Sequence, residues 1–264
     1  MKITVFTSNQ PRHVSLIESL ATIADEVYAI QECNTVFPGR VADFFKKSDI
    51  MQEYFSHVMN AEREVFGNIK FTSNNVSQLV LKSGDLNMLD IQTLSPALKS
   101  DYYIVFGSSY IKGPLCEFLV ANKAINIHMG TSPYYRGSSC NFWALYDGNP
   151  ELVGATIHLL SSGLDSGDML FHAFPRAEAI DPFVIGMKAV KAAHESLIEY
   201  ISTGKINEFS PVKQERKHEI RYTRNRDFTD EIAQKYLQNS PDPQFIKNKL
   251  ESRDLKQFLN PYIG

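Results

Sequence analysis

Cysteine is scarce: Cys33, Cys116 and Cys140 are the only three in 264 residues, an odd number with no CxxC spacing. That excludes a disulfide framework, offers nothing to a structural zinc site, and predicts reduced thiols. Long hydrophobic runs are missing too. No stretch approaches the roughly 20 apolar residues of a membrane span, and the opening MKITVFTSNQ is too short an apolar run for a signal peptide, so the expected location is the cytoplasm. Charge of one sign is also lacking. With 27 basic and 30 acidic side chains the net charge is -3, which gives no overall attraction to a membrane and disfavours nucleic acid as a partner. The segment Ser8-Asn9-Gln10-Pro11-Arg12-His13 holds no glycine, which excludes a dinucleotide-type phosphate cradle after the first strand. The seven histidines are scattered, so no metal is expected.

What is present reads as an ordinary α/β chain. A 43% hydrophobic fraction with 22% charged residues fits a soluble globular protein, and 264 residues suit one good core with an appendage. Lys2 to Thr7 is a β-branched and aromatic strand, Ser15 to Ala24 takes helical spacing, and Glu26 to Gln31 is a second strand. The chain thus begins as a βαβ unit that winds a parallel sheet. Ser48 to Phe66 predicts a long amphipathic helix stopped by Gly67, Asp101 to Gly107 a buried strand, Leu115 to Val120 a helix, Met169 to Phe174 a last strand, and Pro182 to Ser202 a long helix. Two short polar helices are expected at Phe228 to Gln238 and Pro243 to Glu251. Between Lys205 and Arg226 seven basic residues stand against three acidic ones, interleaved with Phe209, His218 and Tyr222. This segment suits either a nucleotide diphosphate or a solvated hairpin packed on the domain.

The chemistry-bearing residues gather between Ala124 and Leu170. Alternation in Ile125-Asn126-Ile127-His128 sends Asn126 and His128 to one face of a strand, and Gly130-Thr131-Ser132-Pro133 then breaks it. A second alternating strand, Gly154 to Leu160, leads into Gly163-Leu164-Asp165-Ser166-Gly167, a tight loop carrying a carboxylate. Amide, imidazole and carboxylate together suit acyl transfer: a donor for a developing oxyanion, a proton shuttle, and a group to orient the shuttle. Ser138, Ser139 and Cys140 lie in RGSSCNFW without a strand-to-helix nucleophile elbow, so the attacking atom is expected from a substrate.

At these residues the sequence resembles the folate-dependent formyltransferases, closest to the sugar N-formyltransferases. Asn126-Ile127-His128 resembles the family's Asn-x-His, Pro133-Tyr134-Tyr135-Arg136-Gly137 its Pro-x-x-Arg-Gly, and Gly154-Ala155-Thr156-Ile157-His158 with Asp165-Ser166-Gly167 its Gly-x-Thr-x-His and Asp-x-Gly. Gly130-Thr131-Ser132 stands where the family commonly has Ser-Leu-Leu, and Cys140 where it often has Pro. The resemblance implies a Rossmann-like, mostly parallel sheet flanked by helices over residues 1–204, with 205–264 as a small C-terminal extension. It implies Asn126, His128 and Asp165 as the catalytic residues, and N10-formyltetrahydrofolate as co-substrate, held by Phe106, Gly107, Ile111, Gly163, Leu164 and Asp165. The RGSSCNFW run, with Asn141 and Trp143, favours a nucleotide-linked amino sugar for a surface polysaccharide as acceptor; Tyr135, Arg136, Gly137, Asn141 and Tyr222 are its candidate contacts, and Arg221 and Arg224 candidates for its diphosphate. A homodimer is allowed for. The alternatives are a formyltetrahydrofolate hydrolase, a methionyl-tRNA formyltransferase, for which the tail is too short to carry the usual β-barrel, and a non-catalytic folate or sugar binder.

Overall fold

The computed structural model describes residues 1–34 and 48–264. Its strands are β1 (Lys2–Thr7), β2 (Glu26–Cys33), β3 (Val76–Lys82), β4 (Tyr102–Val105), β5 (Ile125–His128), β6 (Tyr135–Gly137), β7 (Ala155–Leu159), β8 (Met169–Phe174), β9 (Arg221–Thr223) and β10 (Tyr262–Ile263). The α-helices are α1 (Pro11–Ala21), α2 (Asp49–Phe66), α3 (Gly113–Ala121), α4 (Cys140–Tyr146), α5 (Pro182–Ser202), α6 (Asp230–Gln238) and α7 (Pro243–Glu251). Eight strands form one sheet in the order β10-β8-β7-β5-β4-β1-β2-β3. From β3 to β5 all pairings are parallel, and β7 then runs antiparallel to both β5 and β8.

Both faces of the parallel half are covered, which is why β1 and β4 read as nearly unbroken apolar runs. On one face Leu16, Ile17 and Leu20 of α1 and Val190, Ala193 and Leu197 of α5 meet Ile3, Val5, Ile104 and Ile125. On the other, Leu115 and Leu119 of α3 join Phe6, Ile30 and Tyr103. α2 is capped by Ser48, whose side chain accepts from the Met51 amide at 3.1 Å, and stops before Gly67, where φ is 76°. α5 starts behind Asp181, which caps Phe183 and Val184, with Pro182 at its first position.

Two differences from the sequence reading matter for the site. α1 begins at Pro11, because proline is tolerated at a helix start; the apolar spacing begins only at Val14 and hides the first turn. And β8 is not the last strand: β10 pairs parallel to it, and the Gly264 amide donates to the Phe174 carbonyl at 3.0 Å. The tail packs back on the body. β9 pairs with β6, and Ala233, Tyr236, Ile246, Leu250 and Phe258 share one apolar cluster with Tyr54, Trp143 and Ile185. No helix among the described residues is long and apolar enough to cross a membrane.

Candidate functional site

β5 and β7 pair so that Asn126 stands opposite His158 and His128 opposite Thr156. Four polar side chains therefore project from one patch of the sheet, and the loop after β7 brings Asp165 over it. His128 Nδ1 lies 3.4 Å from Asp165 Oδ2, and Asn126 Nδ2 lies 3.5 Å from Oδ1 of the same carboxylate. Asn126 Nδ2 donates more firmly to His158 Nε2, at 2.9 Å. His158 Nδ1 lies 2.8 Å from the Leu159 carbonyl, which can only accept, so the proton sits on Nδ1 and Nε2 is the bare acceptor that orients the amide. Burial pulls His158 down to about 4, keeping it neutral.

His128 is the opposite case. Burial disfavours its cation most strongly, but the Asp165 carboxylate and the Cys140 sulfur, 3.5 Å from Nε2, together outweigh that and hold the imidazole well above its ordinary range. Asp165 answers in kind: burial would raise it, yet the His128 charge and hydrogen bond, with His158 and Arg136 behind them, keep it below the usual carboxylate range. The pair is an imidazolium and a carboxylate at neutral pH.

The surroundings fix these atoms. Asp165 has φ of 43°, a left-handed backbone uncommon for a residue with a side chain, and Gln214 Nε2 donates to both its carbonyl (3.0 Å) and that of Gly167 (2.9 Å). A Cβ on Gly167 would lie 1.7 Å from the Leu159 carbonyl and 2.9 Å from His158 Nδ1, so only glycine lets the loop close onto β7. Thr156 donates to the Gly130 carbonyl at 2.7 Å and accepts from the Ser132 amide at 2.8 Å, while buried His172 donates to the Ser132 carbonyl, also at 2.8 Å. The turn after His128 is thereby pinned from two strands.

The RGSSCNFW run does form a strand-turn-helix. β6 ends at Gly137, Ser139 sits at φ 56°, and Cys140 opens α4 with its sulfur on His128. The expectation that no such bend exists is overturned: Ser139 adopts the left-handed turn usually signalled by glycine, and the Cys140 thiol, itself 3.3 Å from the Gly137 carbonyl, faces the imidazole.

A cavity of about 510 Å³ opens beside this patch, lined by Gly107, Met129, Cys140 and Asn141 near the triad and by α1, α2, α5 and the 225–236 segment farther out. Phe106 and Gly107 lie on its wall, with the Phe106 ring tilted against that of His13 at 4.7 Å between centroids. Ile111 is buried among Phe6, Tyr103 and Leu115, whereas Gly163 and Leu164 are exposed; the Tyr110 hydroxyl donates to the Ser162 carbonyl and so joins the two segments. Of the five candidate acceptor contacts only Asn141 reaches the cavity, and its Oδ1 also accepts from the Gly154 amide at 3.0 Å. Tyr135 is buried against Asp147 and Asn149, and Arg136 is buried on Glu219 with its Nε unpartnered. Gly137, at φ 86°, lets Thr223 approach, and Tyr222 is exposed on β9. Arg221 grips Asp147 at 2.7 and 2.8 Å and stacks on Trp143, and Arg224 lies over Tyr222, so neither faces the cavity. Sequence reasoning placed His158 in the Gly-x-Thr-x-His run and weighed Cys140 only as a nucleophile, giving neither a role beside Asn126 and His128, and it passed over Glu62; these contacts join segments distant in the chain. Among the described residues no group of three His, Cys, Asp or Glu is disposed to hold a metal.

A model of the formyl transferase family matches residues 1–201. The chain belongs to that family. In sequence it is similar to the methionyl-tRNA formyltransferase of Desulforamulus reducens, 29% identical over 102 residues, 39% of this chain but only 32% of that protein's length. In structure it resembles a 4-N formyltransferase from Francisella tularensis, with TM-score 0.53 and 18% identity over 86% of this chain and 77% of that one. It also resembles a formyltransferase from Anoxybacillus kamchatkensis solved with UDP-4,6-dideoxy-4-formamido-L-AltNAc and tetrahydrofolate, at TM-score 0.50 and 18% identity over 95% and 100% of the two chains.

Proposed function

We propose that this formyl transferase moves the formyl group of N10-formyltetrahydrofolate to the primary amine of a nucleotide-linked amino sugar. The observation that carries the reading is the meeting of Asn126, His128 and Asp165 beside an open cavity of about 510 Å³, with the Asp165 carboxylate placed to hold the imidazole above its ordinary range. In the reaction the neutral amine attacks the formyl carbon and charge builds on the formyl oxygen. The Asn126 amide and the His128 cation supply hydrogen bonds to that oxygen, and a preorganised cation in a buried site is worth far more there than in water. The Nε2 proton faces a thiol sulfur, a weak acceptor that an oxyanion readily displaces. As the carbon–N10 bond breaks, the proton lost by the amine passes to N10, with His128 and Asp165 as the relay.

The acceptor class is supported by the likeness to a solved relative that holds a formamido sugar nucleotide, and by a net charge of -3, which gives no attraction to transfer RNA. The test is an acceptor panel: with formyltetrahydrofolate present, amino-deoxysugar nucleotides should be formylated. Formylation of charged initiator transfer RNA alone would overturn the acceptor class, and donor hydrolysis indifferent to every amine would make the chain a hydrolase. His128→Ala should lower turnover at least about 100-fold while folding survives.

A further inference from the structure

The start of α1 points into the cavity, and a helix start ordinarily holds an anion through free backbone N–H groups. Here the first turn has none to give. Pro11 lacks an N–H, those of His13 and Val14 return to the Gln10 carbonyl at 2.9 and 3.1 Å, and that of Arg12 donates to Oε1 of Glu62 at 3.1 Å. The Arg12 guanidinium adds a second bond to the same oxygen at 2.8 Å. Glu62 reaches across from α2 with its side chain 4% exposed, and it lines the cavity. Its other oxygen, Oε2, accepts no hydrogen bond from any described residue. A carboxylate oxygen that no described donor reaches, on a residue lining the cavity, can accept from a ligand, and the walls nearby are apolar: Tyr54, Val58, Met59 and Met187.

We propose that Glu62 is the acceptor-recognition group of this chain: its free oxygen takes a hydrogen bond from a hydroxyl or amide N–H on the amine-bearing ring, and its charge closes the α1 start to phosphate. This rests on the amine-acceptor reading above and narrows it. The ring enters the cavity uncharged, its deoxygenated face lies on the apolar walls, and any diphosphate stays away from α1. A phosphate monoester placed at the Arg12 amide would meet the Glu62 carboxylate within hydrogen-bonding distance of the same N–H, and like charges at that spacing repel.

The experiment compares wild type, Glu62→Gln and Glu62→Ala with formyltetrahydrofolate and a nucleotide-linked amino-deoxyhexose, adding inorganic phosphate as a competitor. In Glu62→Gln, which keeps the volume, KM for the sugar should rise at least about tenfold while kcat and the folate KM stay within about threefold, the pattern of a lost ground-state contact. In Glu62→Ala the Arg12 amide and guanidinium are released, and phosphate should compete with the sugar at least about tenfold more strongly than in wild type, a gain that misfolding cannot imitate. An unchanged sugar KM in Glu62→Gln, or equal phosphate inhibition of wild type and Glu62→Ala, overturns this inference and leaves the amine-acceptor reading standing. Failure of wild type to formylate any amino sugar overturns both.

Discussion

Replacing Asp165 with Asn keeps the shape of the loop and removes one charge. In the native site that charge stands 3.4 Å from His128 Nδ1, and at an effective dielectric of about 20 two unit charges so placed attract by on the order of 5 kcal/mol. Burial, the strongest influence on His128, pulls the other way, and the Cys140 contact alone does not replace a carboxylate. Without Asp165 the imidazole therefore loses its proton at lower pH. The sign follows: wild type keeps its cation through neutrality and loses it only as pH rises through the raised His128 pKa, whereas the variant has already lost it. At neutral pH turnover should fall at least about 100-fold, and the ratio of wild-type to variant kcat should shrink as pH is lowered from about 9 to about 6. The ionisation of the amine is common to both enzymes and cancels in that ratio. Initial rates of tetrahydrofolate release at saturating substrates measure it, and the protonation of His128 can be followed by NMR. A loss below tenfold, or a ratio independent of pH, would refute the reasoning.

Other outcomes follow from the same geometry. Gly137→Ala places a Cβ 2.0 Å from the Thr223 carbonyl at a φ of 86°, so it should separate β6 from β9 and cost several kcal/mol; thermal denaturation that matches wild type would count against the pairing. Burial depresses His158 to about 4 and His194 to about 3 and also lowers His13 and His172. A base held neutral by folding contributes stability above its unfolded pKa and loses it as pH falls, so the melting temperature should drop from about pH 6.5 downward, with each such histidine contributing up to about 1.4 kcal/mol per pH unit; a flat profile down to pH ~5 would contradict it. Cys140→Ala should shift the alkaline limb of the kcat profile to lower pH, because a group that helps keep His128 protonated is gone, while the melting temperature falls only modestly. Identical pH profiles for wild type and Cys140→Ala would show the sulfur to be mere packing.

Much of this was legible in the residues. Period-2 alternation placed Asn126 and His128 on one face, and the Gly163 to Gly167 turn carried Asp165, because strand geometry and turn chemistry are local properties. α5 and β8 fell where their spacing put them for the same reason. What escaped depends on distance along the chain. Glu62 on α2 meets Arg12 on α1 from fifty positions farther along the chain, and no periodicity announces that a polar residue in an amphipathic helix will turn inward. Gln214, from the basic segment, pins the Asp165 loop, a contact visible only once the tail is folded back. Cys140 reaches His128 through a left-handed serine, where sequence offered no glycine to mark the bend.

The central claim is formyl transfer to a sugar amine, and it is tested most directly by mass spectrometry of the sugar itself. The protein is incubated with formyltetrahydrofolate and an amino-deoxysugar nucleotide, beside a reaction lacking the sugar. The account predicts that the sugar gains the mass of one formyl group at its amine and that tetrahydrofolate is released much faster when the sugar is present. An unmodified sugar, with equal donor consumption in the two reactions, would contradict it.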